Sequence, residues 1–269
     1  MTNPLAFDFM RRALIACVVV GAAAPLVGAF VVQRRQSLIG DGMGHVAFAG
    51  VGFAALLAIQ PVAGALVFAV AAAIVLARPQ RRAAGDVTLA LVFYGGIALG
   101  LVLLGRTGAG LGRLLGFLFG SPLNLDWGQV AWIAGLAAAV AAAVAVLYRQ
   151  LVALAFDEEA ARVAGVRTDR LSLALTLLVA CMVVSGMPAV GLLLVSAMMV
   201  VPVAAAARVA RSYRGTMLLG SAIGAGSGAA GLLAAFWLDT SPAATVVLAG
   251  IAVNALLATG TRLRRGASA

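Results

Sequence analysis

A single histidine, His45, occurs in the 269 residues. Asp41 precedes it by four positions in the run Ser37-Leu38-Ile39-Gly40-Asp41-Gly42-Met43-Gly44-His45. On a helix that spacing puts both side chains on one face, about one turn apart. A carboxylate beside an imidazole suits a borderline divalent cation such as zinc, manganese or iron. Ionisable groups entering an apolar stretch are costly and commonly mark an ion path. Two ligands do not complete a four-coordinate site, but a two-fold dimer would bring two Asp and two His to its axis, the number required. The structural alternative makes Asp41 the N-cap of a helix, with His45 snorkelling toward the interface. Spacing alone leaves both readings open.

A second constellation is Phe156-Asp157-Glu158-Glu159-Ala160-Ala161-Arg162-Val163-Ala164-Gly165-Val166, which holds the one cluster of acids. Acids in a first turn favour the helix dipole, and Gly165 suits a helix end. The segment reads as a short helix, either a docking element for a partner or a solvated connector. The third is the run from Gly186-Met187-Pro188 to Pro202. Prolines at both ends of a span interrupt the backbone ladder where a cavity or neighbour can satisfy it, and such helices often border a transport pathway. Ser196 and Pro202 are its candidate pathway residues; a kinked packing helix is the alternative. Asp239, a further candidate pathway residue, is expected at the outer surface before the last span, attracting a cation, contacting an external partner or capping a helix, and Asp86 is expected to cap the fourth span.

Enzyme readings fare poorly. Ser185 with His45 would make an intramembrane serine dyad, but no G-x-S-x-G elbow surrounds the serine. A membrane aspartyl protease needs two intramembrane acids, and Asp41 alone qualifies. A P-loop is impossible, since all nineteen basic residues are Arg and its lysine is missing.

The elements that must position these residues are helices in lipid. The chain is 64% hydrophobic and 10% charged, with mean hydropathy +1.10, which excludes a water-soluble domain of ordinary composition. Apolar runs at 13–32, 44–59, 62–77, 87–104, 130–147, 171–187, 189–206, 216–236 and 243–258 predict an all-α, polytopic bundle of about nine transmembrane helices. Eight remain if 44–59 and 62–77 form one bent hairpin. The first run resembles a signal peptide at its start but continues past Pro25, which favours a retained span.

Fifteen arginines, from Arg34 and Arg35 to Arg262, Arg264 and Arg265, fall in alternate connections; Arg11, Arg12, Arg106 and Arg113 fall in the others. The rich side should be cytoplasmic, placing the N-terminus outside and the C-terminus inside. The net charge of +10 thus reads as topology, not as a nucleic-acid surface. Residues 105–129 lie outside, with an interfacial or re-entrant helix expected at 114–120. Residues 148–170 lie inside and carry the short acidic helix. Cys17 and Cys181 fall within spans and read as packing residues rather than a disulfide. With no repeat and no linker, 1–269 reads as one transmembrane domain.

At these residues the sequence resembles the integral-membrane permeases of bacterial ABC importers for zinc, manganese and iron, the ABC-3 family. The stretch from Arg34 to Ala47 is similar to the family's RRMSLIGDGLSHA, with Gln36 for an aliphatic residue and Gly44 for Ser. Val190 to Ala205 is similar to VGxLLVSALLIIPAA. Leu238-Asp239 followed by Ala243 to Leu248 is similar to LDxPSGATIVL, but Ser241-Pro242-Ala243 departs from it. Glu159, Ala160, Ala161 and Gly165 match the EAA…G element that docks into an ABC ATPase.

The resemblance implies a multi-pass permease of the bacterial plasma membrane, in contact with membrane lipid, without ATPase activity of its own. Asp41 and His45 are then metal contacts, and Asp157, Glu158, Glu159, Ala160, Ala161 and Gly165 couple to the ATPase. A second copy, cytoplasmic ABC ATPase subunits and an extracytoplasmic metal-binding protein are the implied partners. A zinc, manganese or iron ion is cargo, and no cofactor is held permanently. A cobalamin or iron-siderophore permease and an ion-coupled secondary carrier are the remaining transport readings.

Overall fold

In lipid, backbone N–H and C=O groups have no water to bond, so long apolar runs close their hydrogen bonds internally as helices. A computed structural model describes residues 4–77, 82–107, 116, 118–120 and 125–266, with backbone alone at 82–86 and 261–266. Among the described residues all regular structure is helical. A 3-10 turn, Pro4–Ala6, precedes α1 (Asp8–Gln33), α2 (Ile39–Leu56), α3 (Pro61–Leu76), α4 (Arg82–Arg106) and α5 (Trp127–Phe156). Then follow α6 (Glu158–Val163), α7 (Thr168–Val190), α8 (Leu192–Ala206), α9 (Tyr213–Leu238) and α10 (Pro242–Gly266).

Among the described residues seven helices are long and apolar enough to cross a membrane: α1, α2, α4, α5, α7, α9 and α10. Every expected span therefore meets a helix, but α3 and α8, at 16 and 15 residues, are shorter than the ~20 a bilayer asks of a straight helix. Several boundaries differ from expectation. The second helix begins at Ile39 rather than 44, because the Ile39 and Gly42 amides already donate to Gln36 and Leu38 carbonyls. Pro188 does not end a span; it lies inside the last turn of α7, and the chain reverses at Gly191, whose φ of 81° suits glycine. The fourth helix begins at Arg82, so Asp86 follows its start; the capping role expected of that side chain lies outside the described residues.

Helices α1 and α2 organise the packing. The first gathers α5, α7, α8 and α9; the second gathers α3, α4, α7 and α8, while α10 leans on α8 and α9. In α1, α2 and α7, 67% of the most apolar stretch is buried, against 17% in α4 and α10. Small residues bring the backbones together. Gly21 faces Gly224 across α1 and α9, and Gly50 faces Gly64 across α2 and α3; in each pair a Cβ would run into the other backbone. Cys17 is buried with its thiol donating to the Gly228 carbonyl at 3.6 Å, and Cys181 is half-buried; both are free thiols.

The connections sort onto two ends of the bundle. At one, Phe7 meets Phe236 with ring centroids 6.2 Å apart, and Phe119 lines a small cavity with Ala13, Val190 and Pro242. Gly120 and Gly191, both at positive φ, cross there so closely that a Cβ on either would strike the other's backbone. Apart from Gly116 and Leu118–Gly120, the helix expected at 114–120 lies outside the described residues. At the other end, Tyr213 packs against Phe30 and Phe156 at 5.5 and 5.3 Å, and Arg208 Nε donates to Asn254 Oδ1 at 2.7 Å.

Candidate functional site

Asp41 sits in the first turn of α2, half-exposed. It is not the N-cap: that position is Leu38, and no side chain caps the helix. The helix starts three residues earlier than a cap at Asp41 requires, which leaves the carboxylate on the helix wall. His45, one turn further on, is 9% exposed. Its ring meets Phe93 of α4 edge-on, centroids 4.5 Å apart. Among the described residues neither Asp41 nor His45 has a hydrogen bond or ion pair to another side chain.

The glycines of this stretch let three helices close around it. A Cβ on Gly96 of α4 would lie 2.8 Å from the His45 carbonyl carbon and the Val46 nitrogen. Gly40 faces the Met199 thioether and the Ser196 hydroxyl of α8, where a Cβ would sit at 3.4 and 3.5 Å. Gly44 faces Leu192 at 3.2 Å and Val183 at 3.6 Å, so the position where serine was expected is already filled by a leucine side chain. The wall at this height is apolar, with Asp41 and His45 as its ionisable groups. Among the described residues no three His, Cys, Asp or Glu side chains group to hold a metal.

The acidic segment folds as read. Asp157 caps α6, its carboxylate accepting from the Ala160 amide at 2.8 Å. The Gly165 amide donates to Arg162 O and the Val166 amide to Ala161 O, each at 3.0 Å, with Gly165 at φ 82°: a helix stop that favours glycine. Ala161 is buried, while Glu159, Ala160, Val163 and Gly165 face outward. The result is a capped, exposed helical knob between α5 and α7.

The remaining candidates scatter. Ser196 is buried near Gly40, its hydroxyl donating to Leu192 O at 3.1 Å. Pro202 is buried between α8, α9 and α10, beside Ser227 and Gly250 rather than beside Asp41. Asp239 does not open α10; it is the exposed C-terminal cap of α9, in left-handed conformation at φ 51°. Ser185 is fully buried and donates to Met182 O at 2.8 Å, so its proton is not directed at His45.

The description "ABC 3 transport family" matches residues 6–259, a range that contains both α2 and α6. The chain belongs to that family. It is 30% identical over 248 residues to the manganese import system permease protein ScaB of Streptococcus gordonii, covering 90% of this chain and 87% of that protein. Identity is again 30% over 264 residues with the chelated iron transport system membrane protein YfeD of Yersinia pestis, covering 96% and 88%. Among solved structures, PsaBC from Streptococcus pneumoniae in complex with Fab superposes with a TM-score of 0.85 at 28% identity, over 94% of this chain and 92% of that one.

As an ABC 3 permease, the chain is a multi-pass plasma-membrane protein and not itself an enzyme, and the family works with ATPase and substrate-binding partners. Sequence reasoning missed the groups around the candidate residues: Phe93 and Gly96 beside His45, and Arg34, whose Nη2 reaches Glu158 Oε2 at 3.2 Å. The twin arginines signalled only charge, because Glu158 lies 124 residues away.

Proposed function

We propose that this chain is the permease of an importer that carries a divalent transition metal (manganese, iron or zinc) into the cytoplasm. The observation that carries the reading is the Asp41–His45 pair: two ionisable side chains, unpartnered, one turn apart on a buried helix. Among the described residues neither side chain is bonded to another, so the half-exposed carboxylate and the largely enclosed imidazole are both available to coordinate a cation. ScaB and YfeD, named for manganese and chelated iron transport, support the choice of cargo. The metal is cargo, and no resident cofactor is needed.

Two copies face each other across a two-fold axis, each lending Asp41 and His45, which together reach four ligands. The chain forms one transmembrane domain with nine crossings, α3 and α8 included, its N-terminus outside and its C-terminus in the cytoplasm. The end with Arg34, Arg162 and Arg208 is then cytoplasmic, as its arginine richness requires. An extracytoplasmic metal-binding protein delivers the ion to the other end. ATPase subunits grip α6 through the exposed residues from Asp157 to Gly165, and their cycle shifts the population between inward- and outward-open packings. Ser196 borders the path.

The test is transport itself. The permease, reconstituted with its ATPase in liposomes, is offered manganese, iron and zinc together, and the lumen is assayed by elemental analysis. ATP-dependent accumulation of one of them is expected. Hydrolysis without accumulation of any of the three overturns the reading.

A further inference from the structure

Arg34 is the residue at which α1 ends. Its side chain is only 12% exposed, and its one acidic partner among the described residues is Glu158 of α6, with Nη2 to Oε2 at 3.2 Å. Nη1 is buried without a partner. A guanidinium enclosed this far is a weak stabilising device, since desolvation offsets most of what the ion pair returns. What distinguishes the contact is what it joins.

On one side lies the turn between α1 and α2. The Arg35 amide donates to Val32 O and the Gln36 amide to Val31 O, with Arg35 at φ 59°. The Ile39 amide then donates to Gln36 O, and Gly42 to Leu38 O. Backbone bonds close this turn onto both helices, so it moves with the start of α2 and with Asp41. On the other side, Glu158 also holds Arg162 at 3.3 Å, and Arg162 reaches Thr168 Oγ1 at 3.2 Å and Asp169 at 3.6 Å at the head of α7. α6 otherwise packs chiefly on α5 and α7.

We propose that the Arg34–Glu158 pair is the strut through which movement of α6 reaches the Asp41 turn of α2, making Arg34 a positioning residue for transport rather than for assembly. This rests on the transporter reading above. If α6 moves with a docked ATPase, this contact is a direct line to the metal-facing helix, while its other contacts act through α5 and α7.

The experiment measures ATP hydrolysis and the accumulation of manganese, iron and zinc, offered together, in the same proteoliposomes holding the permease and its ATPase. Arg34→Gln is expected to keep the complex intact and to hydrolyse ATP within about threefold of the unaltered complex, while metal moved per ATP falls about tenfold, as loss of a coupling energy predicts. Glu158→Gln, inside the ATPase-facing segment, is expected to lower the same ratio. Arg34→Lys, which keeps the charge, restores much of the ratio. Asp8→Asn, removing an exposed pair with Arg11 at the opposite end, leaves it unchanged. An unchanged ratio in both neutral variants overturns the proposal. Should a neutral variant fail to assemble, Glu158→Asp decides instead, because it keeps the charge and shortens the reach: a lowered ratio supports the strut, an unchanged one overturns it. An unaltered complex that hydrolyses ATP but moves no metal refutes the transporter reading and takes the strut with it, so the two failures are told apart.

Discussion

Asp41 with His45 and Glu158 with Arg162 are both acid-then-base pairs spaced four residues along a helix, and the molecule treats them in opposite ways. On α6 the pair is closed at 3.3 Å and extended to Arg34, Thr168 and Asp169. On α2 the same spacing yields no bond, although His45 is only 9% exposed. The fold thus closes the α6 pair and leaves the half-exposed Asp41 carboxylate without a side-chain partner among the described residues. Satisfied charge marks the part built to be stiff. On the transport reading, the open pair is the part that receives the ion.

The contrast breaks if stability and transport respond alike at the two places. Asp41→Ala and His45→Ala should each lower metal uptake about 100-fold, the scale of losing one ligand from a coordination sphere or its support. Neither strands a partner, so the unfolding free energy of the purified protein should move by about 1 kcal/mol or less for Asp41, and slightly more for His45, which also loses its contact with Phe93. Glu158→Ala should do the reverse to stability, costing about 1–3 kcal/mol because it leaves the Arg34 guanidinium enclosed and unpaired; this is less than for a fully buried pair, since Glu158 is 42% exposed. Thermal unfolding in detergent, run beside the uptake assay, reads both. A larger stability loss at Asp41 than at Glu158 would reverse the assignment.

Adjacent glycines sharpen the α2 side. A Cβ at Gly96 would press on the His45 backbone at 2.8 Å, whereas one at Gly95 meets nothing within 4 Å. Gly96→Ala should therefore push α4 from α2, costing about 1–3 kcal/mol by overpacking and disturbing uptake with it. Gly95→Ala should be neutral or stabilising by up to about 1 kcal/mol, because a helical glycine is replaced at no steric cost. Equal effects at the two positions would mean that the α2–α4 contact does not shape the site.

Much of this architecture was legible in the chain. Long apolar runs have one solution in lipid, and Asp157 and Gly165 are residues whose chemistry caps a helix whatever surrounds it. That Asp41 and His45 share one face of a helix was legible because their spacing is a property of that helix alone. What stayed hidden depends on partners or on rare backbone states. Arg35, Ala58 and Asp239 adopt positive φ although none is glycine, so the end of α9 at Asp239 could not be told from a cap on α10. Nor does a helical glycine announce its neighbour: Gly96 and Gly95 are the same residue until α2 is placed against one of them. The α7–α8 break went to Pro188 because proline is the stronger sequence signal, yet a proline near a helix end removes one ladder bond without turning the chain, and Gly191 does the turning.

The smallest effects test whether α6 is stiff by its own caps. Asp157→Ala removes the acceptor of the Ala160 amide and should cost about 1 kcal/mol, which raises hydrogen exchange of the capped amides roughly fivefold. Gly165→Ala introduces no collision, since nothing lies within 4 Å of its Cβ position. Its cost, about 1 kcal/mol, comes only from holding a side chain at φ 82°. Gly165→Asn should lose less than Gly165→Ala, because asparagine tolerates the left-handed region. That ordering separates backbone strain from side-chain contact. If alanine and asparagine behave alike, the knob is being held by its neighbours α5 and α7, and the stiffness that sets it apart from α2 is borrowed rather than local.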